Sequence, residues 1–195
     1  MSKACSADQV RQAAEAGQRR FGENYAQEGV KKIEALADLD LEWHFIGPLQ
    51  SNKTRLIAQH FDWVHSIDRL NIAERLSAAR GGLRSPLQVC VQVNISGEDS
   101  KSGVAPSALV ALAQAVTALP NLRLRGLMAI PEAGNTTDLQ RARYAGLRLL
   151  RDELNAQGLA LDTLSIGMSD DLEEAILEGA TIVRVGRAIF GERIK

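Results

Sequence analysis

The amino-acid sequence predicts an α/β fold: a (β/α)8 barrel of the TIM type, formed as a single domain over residues 1–195 and truncated at its N-terminal end. Three observations predict it. Short apolar runs alternate with longer amphipathic stretches along the whole chain, the pattern of a parallel sheet covered by helices. The runs at 87–95 and 181–186 are rich in Val, Ile and Leu, as in strands buried on both faces. Counting Met1-Ser2-Lys3 as the stump of a further strand brings the strand candidates to eight, the number that closes such a barrel. An open doubly wound sheet fits the same periodicity.

The elements follow in order. After the Met1–Lys3 stump, Ser6 is a predicted N-cap for a helix over 7–16, whose apolar residues recur at three- and four-residue spacing, and Gly17 is its stop. A strand over 20–24 leads into a helix over 24–37, and strands at 43–47, 63–67 and 87–95 come next. Pro106 suits a first helical position and opens a helix over 106–118. The strand at 122–130 passes through a Gly134-Asn135-Thr136-Thr137 loop to a helix over 139–156. A strand at 163–168 is followed by a helix over 170–178, with Asp170 and Glu173 spaced as a capping box. The strand at 181–186 is the last.

The length suits one core, but (β/α) barrels take about 250 residues and seldom fewer than about 200. The deficit lies at the front, where the chain begins at the end of its first strand and leaves two sheet edges without their usual partner. Twenty-three basic side chains against 24 acidic ones give no electrostatic reason to expect nucleic acid or an anionic membrane as partner. No signal peptide and no run of about 20 apolar residues is visible, so a cytoplasmic protein is expected. Cys5 and Cys90 match no metal spacing, and Cys90, in an apolar run, reads as a core residue.

Three constellations fall at strand C-terminal ends, where barrels build their sites. They are Phe21-Gly22-Glu23-Asn24, Ile166-Gly167-Met168-Ser169-Asp170 and Arg184-Val185-Gly186-Arg187. The last two together read as a phosphate site, with Ser169 offering a hydroxyl beside helix-start amides; equally, their glycines serve tight turns. Asp170 and Asp171 must cap the helix or face solvent for the phosphate reading to hold. Arg184 projects from an apolar strand, which requires a ligand or a carboxylate partner such as Glu23. Lys3 is a solvated terminal residue or, at the end of strand one, an amine able to reach a carbonyl carbon. His44 lines a ligand pocket or is a satisfied core histidine. His60 and His65 lack ligand-spaced partners, so no metal site is expected. Ser96–Gly103 reads as a mobile polar rim rather than a phosphate loop.

Phe21-Gly22-Glu23-Asn24-Tyr25, Trp43-His44-Phe45-Ile46-Gly47-Pro48-Leu49-Gln50-Ser51-Asn52-Lys53, Leu127-Met128-Ala129-Ile130, Ser165-Ile166-Gly167-Met168-Ser169-Asp170-Asp171, Val183-Arg184-Val185-Gly186 and Ile189-Phe190-Gly191 occur in this order. Together they resemble the pyridoxal phosphate homeostasis proteins, relatives of the N-terminal barrel of alanine racemase. The resemblance implies pyridoxal 5′-phosphate (PLP) as cofactor and Lys3 as its Schiff-base lysine. It implies that Ser169, with backbone amides near Gly167, Met168, Gly186 and Arg187, holds the phosphate. Arg184 would sit at the pyridine nitrogen and Asn24 beside the ring. An arginine there, in place of a carboxylate, leaves that nitrogen unprotonated and weakens the electron sink, which suits a carrier.

Two departures from the family pattern stand out. Arg187 replaces a small hydroxyl residue, so only its backbone is expected at the phosphate. The N-terminal helix and most of strand one are missing, so a longer natural chain is expected; an in-frame upstream strand and helix in the genomic DNA would bear this out. The resemblance implies a non-catalytic PLP carrier or buffer, monomeric and serving PLP-dependent apoenzymes. The alternatives are a PLP-dependent amino-acid racemase, or a phosphate-binding barrel of unrelated metabolism with Lys3 incidental. Tyr25 and Tyr144, the residues available as a racemase base, both fall in predicted helices.

Overall fold

The computed structural model describes residues 1–82, 85–97, 102–131 and 136–191. Six strands form one parallel sheet in sequence order: β1 (Arg20–Glu23), β2 (Glu42–Phe45), β3 (Trp63–Ile67), β4 (Leu87–Gln92), β5 (Leu122–Met128) and β6 (Thr163–Ser165). The helices are α1 (Ala7–Glu15), α2 (Ala26–Ala35), α3 (Thr54–His60), α4 (Leu70–Arg80), α5 (Pro106–Thr117), α6 (Thr137–Ala156), α7 (Leu172–Leu177) and α8 (Arg187–Phe190), with a 3₁₀ turn at Ser51–Lys53. Strictly sequential parallel order excludes the doubly wound alternative, in which strand order reverses at a switch point.

The sheet curls until its ends meet. Ser165 of β6 bridges to Ile182 in parallel. The Met1 nitrogen donates to Val185 O at 2.6 Å, and Ser2 N–H donates to Gly22 O of β1 at 2.9 Å. Met1 and Ser2 therefore stand between β1 and segment 181–185. Two apolar layers result. The larger lies between sheet and helices and includes Val10, Phe21, Ile57, Leu76, Val89, Leu112, Leu127 and Leu147. The smaller, Trp63, Cys90 and Met128 with Ile182 packed against it, fills the inside of the curl.

Local signals explain most helix ends. Ser6 accepts from Gln9 N–H while Gln9 returns a bond to Ser6 N–H, a reciprocal box that stabilises α1 by about 1 kcal/mol. Pro106 occupies the first turn of α5. Helix α6 starts two residues earlier than expected, with Thr136 as its N-cap, because the threonine hydroxyl accepts from Leu139 N–H. The rest of the expected loop before it, Gly134 and Asn135, lies outside the described residues, as do 98–101 of the expected rim.

Two expectations are corrected. Segment 181–186 is not a regular strand: Thr181 and Ile182 N–H both converge on Leu164 O, Thr181 Oγ1 takes Leu164 N–H, and Arg184 N–H turns to Gly167 O. A side chain replacing a main-chain partner breaks the ladder and leaves one bridge. Asp170 does not cap α7; the N-cap is Asp171, whose side chain makes no capping bond because it is committed elsewhere, as described below. Among the described residues no helix is long and apolar enough to cross a membrane, and none of their His, Cys, Asp and Glu clusters fits a metal ion. Burial pushes the Cys90 thiol up to about 12, so it is inert at neutral pH.

Candidate functional site

The C-terminal ends of β1 and β6 and segment 181–187 converge on residues 1–4. Ala4 N–H donates to Glu28 Oε1 in the first turn of α2 at 2.8 Å, so Lys3 stands at the C-terminal end of β1. Lys3 is half-buried. Among the described residues its amine has no hydrogen bond or ion pair, although its charge acts on Glu28. Asn24 follows β1 directly, and its Oδ1 is buried without a hydrogen-bond partner. A buried acceptor left open is costly unless a ligand completes it.

A buried ionic cluster holds this corner. Lys32 Nζ donates to Ser2 O at 2.7 Å, Glu23 Oε1 at 2.9 Å and Glu28 Oε1 at 2.7 Å, and Ser2 Oγ donates to Glu23 Oε1 at 2.6 Å. Burial raises the Glu23 carboxyl above the usual carboxylate range against the pull of Ser2 and Lys32. Burial also pushes the Glu28 carboxyl upward, but bonds from Lys32 and Ala4 N–H outweigh it and hold it low. Glu23 is therefore the partner of Lys32 and not of Arg184, which corrects the structural pairing considered from sequence.

Arg184 is 6% exposed, and its three acceptors are Ser165 O at 2.6 Å, Ser165 Oγ at 3.0 Å and Ala129 O at 2.9 Å. None is a carboxylate. Burial lowers its pKa to about 10, so it remains a cation at neutral pH. His44 pairs in register with Gly22, one layer below Asn24. It lines, with Arg184, His65, Ile46 and Val185, a cavity of about 280 Å³. Both of its ring nitrogens are engaged, by Glu42 and His65, so it is a satisfied core histidine that also borders the cavity.

The phosphate constellation is gathered but unevenly available. Gly186 N–H approaches Ser169 Oγ at 3.5 Å. The amides of Arg187 and Ala188 open α8 with no acceptor among the described residues. Met168 is different: its N–H is donated to Asp171 Oδ1 at 2.5 Å, and its side chain is exposed. Asp171 also accepts from Tyr144 OH and Gln140 Nε2, each at 2.5 Å; Asp170 is exposed and bridged to the Arg187 guanidinium. Both carboxylates are thus committed to other partners, and the Arg187 charge is already paired. Gly167, at φ +87°, permits the turn, since a Cβ there would meet Ala175 Cβ at 2.4 Å.

Gly47 shapes the site from the neighbouring strand. A Cβ on it would lie 2.0 Å from Asn24 O and 2.8 Å from Asn24 C, and backbone cannot rotate away as a side chain can. Gly47→Ala is expected to cost about 2–3 kcal/mol in urea unfolding and to displace Asn24. Unchanged stability would show that β1 shifts freely against β2.

The profile of the family described as "Alanine racemase, N-terminal domain" matches residues 1–194. The "Pyridoxal phosphate homeostasis protein" of Pseudomonas aeruginosa is 63% identical over 193 residues, 99% of this chain and 83% of that one. This chain belongs to that family. Among solved structures, PipY of Synechococcus elongatus PCC7942 without PLP superposes with a TM-score of 0.92 at 44% identity, covering 97% of this chain and 90% of PipY. PipY with PLP bound gives 0.90 at 42% identity over the same shares.

The residues expected at the site from sequence lie around one end of the curl: Lys3, Asn24, Ser169, Gly186 and Arg187 around its mouth, with Arg184 and His44 beneath. Sequence reasoning missed Lys32, His65 and Ser165 as contributors. Alternation along β2 and β3 puts Glu42, His44 and Ile46, and Trp63 and His65, toward the inside, a signal available from sequence once both strands are taken as neighbours. Tyr25, expected in a helix, precedes α2 as its N-cap and is 58% exposed.

Proposed function

We propose that this protein holds pyridoxal 5′-phosphate covalently on Lys3 and acts as a non-catalytic carrier or buffer in cofactor and amino-acid homeostasis. The observation that carries the reading is Arg184: a buried cation, held by a hydroxyl and two carbonyls, without a carboxylate among the described residues. Its fit to the cofactor is matched by the open, buried Asn24 Oδ1. The PLP-bound relative PipY and the names of the curated relatives support the same cofactor.

The roles follow from chemistry. Bound, the cofactor supplies an aldehyde and an electron-withdrawing pyridine ring. Lys3, whose amine makes no hydrogen bond or ion pair among the described residues, offers the amine that would condense with the aldehyde carbon, releasing water. Arg184 donates to the ring nitrogen and, as a cation, leaves it unprotonated. Asn24 contributes an acceptor beside the ring. Ser169 Oγ and the amides of Gly186 and Arg187 bind the phosphate, whereas Met168 contributes chain geometry through its bond to Asp171. His44 shapes the pocket wall.

We read the curled sheet as the greater part of an eight-stranded barrel, in which residues 1–3 and 181–186 take the two closing positions. The protein works in the cytoplasm as a monomer that passes cofactor to PLP-dependent apoenzymes. Racemisation needs a base on the face opposite the lysine. Tyr144 does not meet this need: burial and its bond to Asp171 hold the hydroxyl protonated well above neutral pH.

Borohydride reduction of the protein with added PLP, followed by peptide mass mapping, tests the assignment. A reduced pyridoxyl group on Lys3, absent in Lys3→Ala, is the expected result. Labelling of other lysines alone sinks the Lys3 role, and turnover of L- to D-alanine by the purified protein would favour the racemase.

A further inference from the structure

Beneath Arg184, the inside of the curl holds a polar chain that runs toward the N-terminal edge of the sheet. Arg184 Nη1 donates to Ser165 Oγ at 3.0 Å, and Ser165 Oγ lies 2.8 Å from His65 Nδ1. His65 Nε2 lies 2.9 Å from His44 Nδ1, and His44 Nε2 lies 2.9 Å from Glu42 Oε1. His44 is 5% exposed, His65 and Ser165 0%, and only the Glu42 side chain, at 39%, reaches solvent. Trp63 stacks on His44 at 5.3 Å with an interplanar angle of 15°, which fixes the plane of its ring.

The ends of this chain dictate its direction. The guanidinium can only donate, and the carboxylate, when ionised, can only accept. The Glu42 carboxyl is held below the usual range, chiefly by its bond to His44. His44 therefore donates from Nε2, and when neutral its Nδ1 accepts. His65 must then donate from Nε2 and accept at Nδ1, which requires the Ser165 hydroxyl proton to point at His65. That orientation leaves the serine oxygen lone pairs facing Arg184. Burial, with His44 and Arg184 nearby, pushes His65 well below its usual range, consistent with a neutral ring.

We propose that Glu42, His44, His65 and Ser165 are positioning residues for Arg184: a one-way hydrogen-bond chain that holds the Ser165 hydroxyl as an acceptor and so fixes the guanidinium at the ring-nitrogen end of the site. What Arg184 faces rests on the proposed PLP binding; the chain and its polarity do not. A proton added to His44 would reverse the chain, forcing His65 to donate toward Ser165. The charged groups that bear on that step are Glu42, Arg184, Arg20, which pairs with Glu42 at 3.1 Å, and Arg125, which lies over Trp63 at 5.1 Å.

The first test needs no cofactor. Long-range ¹H–¹⁵N spectra of the protein near pH 7.5, a region where ordinary histidines are neutral, should show His44 and His65 both neutral with the proton on Nε2. His60 provides the contrast, since its Nδ1 faces Leu56 O at 2.9 Å. In Ser165→Ala, which removes one oxygen and adds no volume, the Arg184 guanidinium protons should exchange with solvent about tenfold faster. The second test adds PLP. Ser165→Ala and His65→Leu should bind it about tenfold more weakly, the scale of one lost hydrogen bond to a charged group, with a shifted pH profile of the bound chromophore. A proton on Nδ1 of either histidine, or unchanged Arg184 exchange in Ser165→Ala, overturns the chain. Normal exchange behaviour as expected, with no PLP binding even by the unmodified protein, would instead remove the cofactor reading and leave the chain standing.

Discussion

Lys32→Met is expected to destabilise the protein by about 3–5 kcal/mol at neutral pH, the range for removing one partner of a buried ion pair. Lys32 and Glu23 side chains are 7% and 0% exposed, so Glu23 would be left as a buried anion with Ser2 Oγ as its remaining donor. The deficit should depend on pH in a definite direction. Burial already raises the folded-state pKa of Glu23, and losing the ammonium raises it further. A carboxyl raised in the folded state favours folding below its unfolded pKa of about 4.3. That contribution is lost as pH rises through the folded value. Urea unfolding near pH 5 and near pH 8 should therefore show the larger loss at the higher pH, and Glu23→Gln added to Lys32→Met should recover part of it. A pH-independent loss would mean that packing of the lysine stem, and not the charge, matters here. Because Lys32 also holds Ser2 O, the variant should loosen Lys3 and weaken its labelling.

Arg80→Ala should lose about 4 kcal/mol or more. The side chain is 1% exposed, and it donates to Ala58 O at 2.6 Å, Phe61 O at 2.8 Å and Ser85 O at 2.8 Å. These carbonyls end α3 and precede β4, and among the described residues no main-chain donor replaces the guanidinium. Truncation leaves buried acceptors, each costing about 1–3 kcal/mol, plus a cavity. In a chain of this size the melting temperature should drop by roughly 10 °C. Arg80→Lys should recover little, because one ammonium cannot span three acceptors spread over two segments. A melting temperature within about 2 °C of the unmodified protein would mean that water replaces those bonds without loss.

Much of the fold was legible locally. Ser6, Pro106 and the alternating apolar runs fix element ends through bonds or sterics within a few residues, and the structure follows them. The helices α3 and α4 carried weaker signals: α4 opens at Arg69 and α3 at Lys53, neither with a side-chain cap. Segment 181–186 reads as a strand by composition, yet Thr181 Oγ1 and the turn of Arg184 N–H toward Gly167 break its ladder. Propensity describes a residue's preference; ladder formation depends on what the neighbouring segment offers.

The site divides along the same line. The sequence by itself determined the residue types: an amine at Lys3, a serine and glycines at the turns after 166 and 184, and an arginine in an apolar run. Those assignments depend on chemistry and on motif, and neither needs coordinates. Only the tertiary structure decided who pairs with whom. It gave Glu23 to Lys32, set Arg184 against the Ser165 hydroxyl and two carbonyls, turned Asp171 onto Met168 N–H, and joined His44 to His65. The physical reason is register. Alternation along a strand says which face a side chain takes, but the pairing of Gly22 with His44 and of His44 with Trp63 sets the height at which faces from distant segments meet, and a shift of one residue would exchange every partner.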